Sequence, residues 1–232
     1  MLEALWWGAF ASSSLLIGAI FALRIRVDRL ILGLVMGFGA GVLLSAVAFE
    51  LVEEAFDTSG VLSDVATGLF AGCAVYTLGD AVIDRLGAGG SALPIVLGTV
   101  LDGIPESAVL GLGLVQGGTV SVAMLAAVFL SNLPEAVAAT AGLRASGWRS
   151  SRVLLLWAGI VAVSGLAALA GFGLFDSASP SVVAFVLAFA GGAILTMLAD
   201  TMMPEAFEHA GKLVGVVTTF GFAVAFGLSA LT

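Results

Sequence analysis

The feature that most restricts what this chain can become is its punctuation: eight apolar runs, each closed within a few residues by charges, glycines or a proline. They fall at roughly 4–23, 30–53, 65–83, 92–115, 119–142, 152–175, 180–206 and 213–231. A helix of about 20 apolar residues matches the roughly 30 Å hydrocarbon core of a bilayer. Helix is the only winding open to such runs, because an open strand in lipid leaves its backbone groups unpaired. The expectation is an all-α integral membrane protein with eight transmembrane helices, residues 1–232 forming one domain. Composition agrees: 60% of residues are hydrophobic and 10% charged, against about 25% charged in soluble domains. No water-soluble surface can be built from that, and no separate soluble domain fits between the runs.

The first run lacks a basic leader, its early charge being Glu3, so it reads as a membrane helix and not as a cleaved secretory signal. Cys73 is the only cysteine, which excludes an internal disulfide and any cysteine-rich metal site. The basic residues test the map independently. Arg24, Arg26 and Arg29 lie between spans one and two, Arg85 between three and four, Arg144, Arg149 and Arg152 between five and six, and Lys212 between seven and eight. All eight fall on one side, whereas the opposite loops hold Asp57, Asp64 and Asp176 and no base. Because basic loops stay in the cytoplasm, this predicts a multi-pass protein of the cell (inner) membrane with both termini extracytoplasmic. The 31 glycines, such as Gly33, Gly37 and Gly41 at four-residue spacing, suit close packing of membrane helices. The four tryptophans read as interface anchors or packing groups.

Two internal similarities stand out. GVLLSAVAFELVEEAF (41–56) aligns without gaps on GAILTMLADTMMPEAF (192–207), and LDGIPESAV (101–109) on LSNLPEAVA (130–138). The members of each pair run in opposite directions across the membrane, the arrangement of an inverted repeat. The expected architecture is therefore helices 1–3 and 6–8 as two inverted units around a central pair, 4 and 5.

That central pair carries the chemistry. Asp102 and Glu106 share a face midway along the fourth span, and Glu135 lies deep in the fifth, with Ser131 and Asn132 one turn before it. An ionised carboxylate near the bilayer centre costs about 2.5–3.5 kcal/mol, and no Lys or Arg lies in these spans to pair with it. Protonation, a water-filled cavity or a bound cation must offset that cost. Pro105 and Pro134 each precede the glutamate and each remove one helix hydrogen bond, freeing the carbonyls of Leu101 and Leu130. Asp102, Glu106, Glu135, the Asn132 amide oxygen and Ser131 together make an oxygen-rich set suited to a divalent cation. The plain alternative is a pair of proline kinks whose acids stay protonated and bond to neighbouring helices.

At these residues the sequence resembles the ZIP family of divalent metal transporters. That family carries a histidine-asparagine-x-proline-glutamate-glycine signature in helix four and a related proline-glutamate motif in helix five. Asp102-Gly103-Ile104-Pro105-Glu106-Ser107 and Ser131-Asn132-Leu133-Pro134-Glu135-Ala136 stand at those places. The resemblance spans essentially the whole chain, including Pro204-Glu205 at the end of the seventh span. It implies metal positions at Asp102, Glu106, Ser131 and Glu135, with Gly103 and Asn132 at the places of a secondary site. It further implies uptake of a divalent metal such as zinc, manganese or iron, and a homodimer. Movement would be elevator-like, helices one, four, five and six sliding against two, three, seven and eight. Asp102 replaces the usual histidine, Gly103 the usual asparagine, and the sixth span offers no acid, so a single, harder metal site is expected, shifted toward manganese, iron(II) or magnesium with zinc still compatible.

Glu50, Glu53 and Glu54 at the end of the second span, and Asp200, Glu205, Glu208 and His209 at the end of the seventh, read as acidic mouths of an ion path or as solvated helix ends. Glu50 and Asp200 lie deeper and favour the path. His209, the sole histidine, suits an interfacial position, with metal release or proton relay near neutral pH as the alternative. Asp80 and Asp84 have Arg85 beside them, and local pairing accounts for them. One histidine and no paired-histidine zinc motif argue against an enzyme, and no cofactor or nucleic-acid partner is expected. The rival is a proton-coupled carrier or sensor whose intramembrane acids titrate instead of binding metal.

Overall fold

The computed structural model describes residues 2–25, 28–87, 93–117, 120–175 and 177–230, the side chains of 86, 87, 93–96, 102, 116 and 117 excepted. Among these residues all regular structure is helical. The helices are α1 (Leu2–Arg24), α2 (Arg29–Ser59), α3 (Leu62–Gly87), α4 (Leu93–Gly117), α5 (Val122–Ala145), α6 (Ser150–Phe175), α7 (Pro180–Ala210) and α8 (Leu213–Ser229). Seven are long and apolar enough to cross a membrane, and α8 is a shorter apolar helix. That is the make-up of an α-helical multi-pass membrane protein. Local chemistry starts the elements where expected. The Asp28 carboxylate accepts from the Leu30 amide at 2.8 Å, the Ser121 hydroxyl from the Met124 amide at 3.1 Å, and Pro180 opens α7.

The largest departure from the expected bounds is at the far ends of α2 and α7, which run on for several residues past 53 and 206. The charges at Glu53, Glu54, Glu208 and His209 place the expected ends there, and polar residues are compatible with a helix end that runs on into water. What stops each helix is a glycine: Gly60 at φ 66° and Gly211 at φ 57°, backbone conformations that residues with a Cβ rarely adopt. Both helices also change winding, α2 over Val47–Glu53 and α7 over Leu198–Met202, where the hydrogen bonding is π-helical. In α7 Pro204 supplies a local cause, since its ring clashes with the carbonyl four residues back and it has no N–H. The π segment of α2 contains no proline.

The helices sort into two bundles. α1, α4, α5 and α6 pack chiefly on one another, and α2, α3, α7 and α8 do the same. Within bundles the backbones touch. A Cβ built on Gly41 would collide with the Thr218 carbonyl of α8, and one on Gly221 with the Phe38 carbonyl of α2. One on Gly192 would meet Leu69 of α3, and one on Gly72 would meet Phe189 of α7. Gly111 and Gly171 cross the α4–α6 pair in the same reciprocal way, on Ala168 and Ala108. The Thr218 hydroxyl bonds the Gly37 carbonyl at 2.9 Å, closing the α2–α8 seam. Between the bundles the approach is less close: a Cβ on Gly79 of α3 would meet side-chain atoms of Leu101 on α4, and one on Gly39 of α2 would lie 3.3 Å from the Ser131 Cα of α5. Large exposed side chains such as Phe70 and Leu78 of α3, Leu155 and Leu174 of α6 and Val216 and Phe220 of α8 form the outer surface, as lipid contact requires.

Candidate functional site

Three cavities lie along the seam between the bundles. The first, of about 310 Å³, is at the end where α2 finishes and α5 begins; Glu50 and Glu54 of α2, Val109, Leu110 and Gly113 of α4, Ser121 and Met124 of α5, and Ser229 of α8 line it. The Ser229 hydroxyl donates to Glu50 Oε1 at 2.6 Å across its mouth. The second, of about 330 Å³, is at the opposite end, which carries the basic loops. It is lined by Tyr76 and Asp80 of α3, Gly98 and Thr99 of α4, Glu135 and Ala139 of α5, and Thr201 and Glu205 of α7. A small third void, of about 30 Å³, continues from it, bounded by Ser131, Glu135, Glu205 and the three methionines Met36, Met197 and Met202.

On α4 the two large cavities are separated by the stretch from Thr99 to Val109, a rise of about 15 Å along the helix. That stretch holds Pro105 and Glu106. Glu106 is 1% exposed, and Ser131 and Asn132 on α5 are buried alongside, at 2% and 3%. Both α4 and α5 continue as helices through their prolines. The Leu130 carbonyl that Pro134 leaves without its helix partner faces Gly39 of α2, where a built methyl would sit 3.4 Å from it. A glycine there lets the freed oxygen approach the other bundle. The Ser131 hydroxyl returns to the Val128 carbonyl at 3.1 Å.

Of the expected metal residues, Ser131 and Glu135 share the void with Glu205, while Glu106 and Asn132 lie in packed structure that none of the three cavities reaches. The Asp102 side chain is outside the described residues. Among those described, no three carboxylate, histidine or cysteine side chains converge to hold a metal ion. At the secondary position a methyl on Gly103 would lie 3.7 Å from the Ser164 hydroxyl of α6, so a neutral hydroxyl is what α6 offers there.

The expected mouths divide. Glu50 and Glu205 line cavities, and His209 stands behind Glu205 with Nε2 3.8 Å from Oε1. Asp200 and Glu208 are exposed and line none of the three cavities. One reading needs correcting. Asp80 and Asp84 form no ion pair with Arg85. Asp80 instead faces the basic-end cavity with Glu135 and Glu205. The signal was available: Tyr76 and Asp80 are one helical turn apart on a helix whose charges otherwise sit at its ends. The methionine collar was missed because scattered methionines read as core, and only folding brings Met36 of α2 to Met197 and Met202 of α7.

No protein-family model and no curated protein matches the sequence.

Proposed function

We propose that the protein is a carrier of a divalent metal cation of the zinc, manganese or iron class, moving it by alternating access through the carboxylate-bearing middle of α4 and α5. One observation carries the reading: cavities enter the seam between two bundles from opposite ends, those of the basic end reaching Glu135 and Ser131 of α5, and the stretch of α4 left between them holds the buried Glu106. The remaining barrier is about half the hydrocarbon thickness. A carboxylate at that depth in the hydrocarbon is costly, and a transported cation offsets that cost. The basic loops support a cytoplasmic Glu135 side of the barrier with both termini outside, and the ZIP resemblance implies uptake as the direction.

The inverted repeat is supported by helix packing. Gly41 touches α8 and Gly192 touches α3; Phe38 and Phe189, which receive Gly221 and Gly72 in return, keep the same 151-residue offset as the two glycines. In such folds one bundle moves as a body against the other. The less close approach between bundles suits sliding of α1, α4, α5 and α6 past α2, α3, α7 and α8. The ZIP resemblance extends this to a homodimer formed by the second bundle.

The test is uptake into proteoliposomes. Glu106→Ala and Glu135→Ala are each expected to abolish accumulation of manganese or zinc, and undiminished uptake in both refutes the proposal. A proton-coupled carrier or sensor is the second reading, favoured by the lack of three converging acids among the described residues. Thermal unfolding separates the two. A metal carrier is stabilised in proportion to the logarithm of the concentration of one divalent ion, by about 2.7 kcal/mol at a hundredfold excess over Kd. Indifference to every divalent ion selects the rival.

A further inference from the structure

The π segments of α2 and α7 begin at Val47 and Leu198, again 151 residues apart, and the glycines that end the two helices, Gly60 and Gly211, keep that offset. Each helix therefore finishes in the same three parts: a π segment, a short α-helical end piece (Glu54–Ser59 or Met203–Ala210), and a glycine of positive φ. Pro204 explains the change of winding in α7, but α2 has no proline, so a shared proline is not the cause. What the two share is position. Glu50, inside one π segment, and Glu54, just past it, line the acidic-end cavity. Thr201, inside the other, and Glu205, just past it, line the basic-end cavity. Each end piece is thus attached at both ends by a backbone that can change winding, and each carries a carboxylate at the mouth of one cavity.

We infer that the two π segments are the hinges of the carrier's two gates, each turning its end piece by interchange of π and α winding. A π turn holds one residue more than an α turn. Releasing or absorbing that residue rotates everything beyond it by about 100° and shifts it by about 1.5 Å along the axis. Such a rotation swings Glu54 or Glu205 into or out of its cavity while the rest of the helix, locked by Gly41 on α8 or Gly192 on α3, stays in place. Glycines at the far ends absorb the turn without displacing α3 or α8. The inference rests on the alternating-access reading, but its readout is accessibility and not metal movement, so either can fail without the other.

Deleting Ala48 or Ala199 removes one residue from a π segment and returns that turn to α winding with both flanks in register. In a Cys73→Ala background, Gly113→Cys reports on the acidic-end cavity and Gly98→Cys on the basic-end cavity; a Cβ at either glycine meets nothing within 4 Å. Labelling with a membrane-impermeant maleimide from each side of sealed vesicles gives the rates. Deletion of Ala48 locks Glu54 where it now stands, at the cavity, and is expected to speed Gly113→Cys at least threefold without speeding Gly98→Cys, and deletion of Ala199 to do the reverse. Rates unchanged or lowered at the hinged end, or raised alike at both ends, overturn the inference. Hydrogen exchange on the undeleted chain is a second measurement that needs no variant to fold. Glu54–Ser59 and Met203–Ala210 are expected to exchange at least tenfold faster than the last two turns of α5 and α6, which lack a π segment, and equal rates overturn it.

Discussion

The closest approaches in the structure are made by glycines, and their replacement by alanine yields opposite outcomes at two kinds of position. At Gly41 the added methyl would overlap the Thr218 carbonyl oxygen, with its carbon at 2.7 Å; at Gly192 it would overlap the Leu69 carbonyl, with the carbon at 2.8 Å. These are backbone atoms of a packed helix, so no side chain can rotate away, and the helices must part by more than about 1 Å to relieve the overlap with the oxygen. Overpacking of this kind costs about 1–3 kcal/mol, partly offset by the roughly 0.5–1 kcal/mol that alanine gains over glycine inside a helix. Gly98 and Gly113 have open space where the methyl would go, so there only the gain remains. Net effects should therefore be about 1–2 kcal/mol of destabilisation for Gly41→Ala and Gly192→Ala, a Tm lowered by about 2–8 °C. Gly98→Ala and Gly113→Ala should raise Tm by about 1–4 °C. Unfolding of the detergent-solubilised protein, followed by tryptophan fluorescence, measures all four. If Gly41→Ala and Gly192→Ala unfold no earlier than Gly113→Ala, the assignment of α2–α8 and α3–α7 as the close-packed seams is wrong.

Three other outcomes are expected. Gly60 and Gly211 both have positive φ, but the ψ of −141° at Gly211 is a region almost closed to other residues; Gly60→Ala should cost about 1 kcal/mol and Gly211→Ala more, a ranking that the same unfolding measurement checks. Trp157→Phe deletes the 2.9 Å bond from the indole to the buried Thr140 hydroxyl on α5, and should lower stability by about 1–3 kcal/mol, with Thr140→Val in the same background adding little further loss in a double-mutant cycle. Carboxylates must be deprotonated to bind a cation, so metal uptake should weaken as external pH falls; initial rates that stay flat from neutral to mildly acidic pH would contradict carboxylate ligation.

Much of this was legible in the residues themselves. The eight apolar runs became eight helices with most ends within a few residues of their expected places, because in lipid the backbone has no alternative to helix and the length of each run is set by the bilayer. Glu106, Ser131 and Asn132 were recognisable as buried polar groups, since a carboxylate, a hydroxyl and an amide in the middle of an apolar run have nowhere else to go. The ends of α2 and α7 were misjudged because charge marks the edge of the membrane, whereas a helix ends where its backbone is turned, at Gly60 and Gly211. Asp80 was assigned to Arg85 because neighbours in sequence suggest pairing, yet its helix face turns it toward α4, α5 and α7.

By itself the sequence determined that the chain spans a membrane as a helical bundle, and which few polar groups lie inside it. Those are questions of solvation, answered residue by residue by the cost of placing a group in hydrocarbon. Only the tertiary structure decided that the helices divide into two bundles, that cavities enter between them from both ends, that Asp80, Glu135 and Glu205 face one space, and that two helices change winding beside those cavities. Those are questions of shape. They depend on which glycine lets which backbone approach, and that is known only once the partner helix is in place.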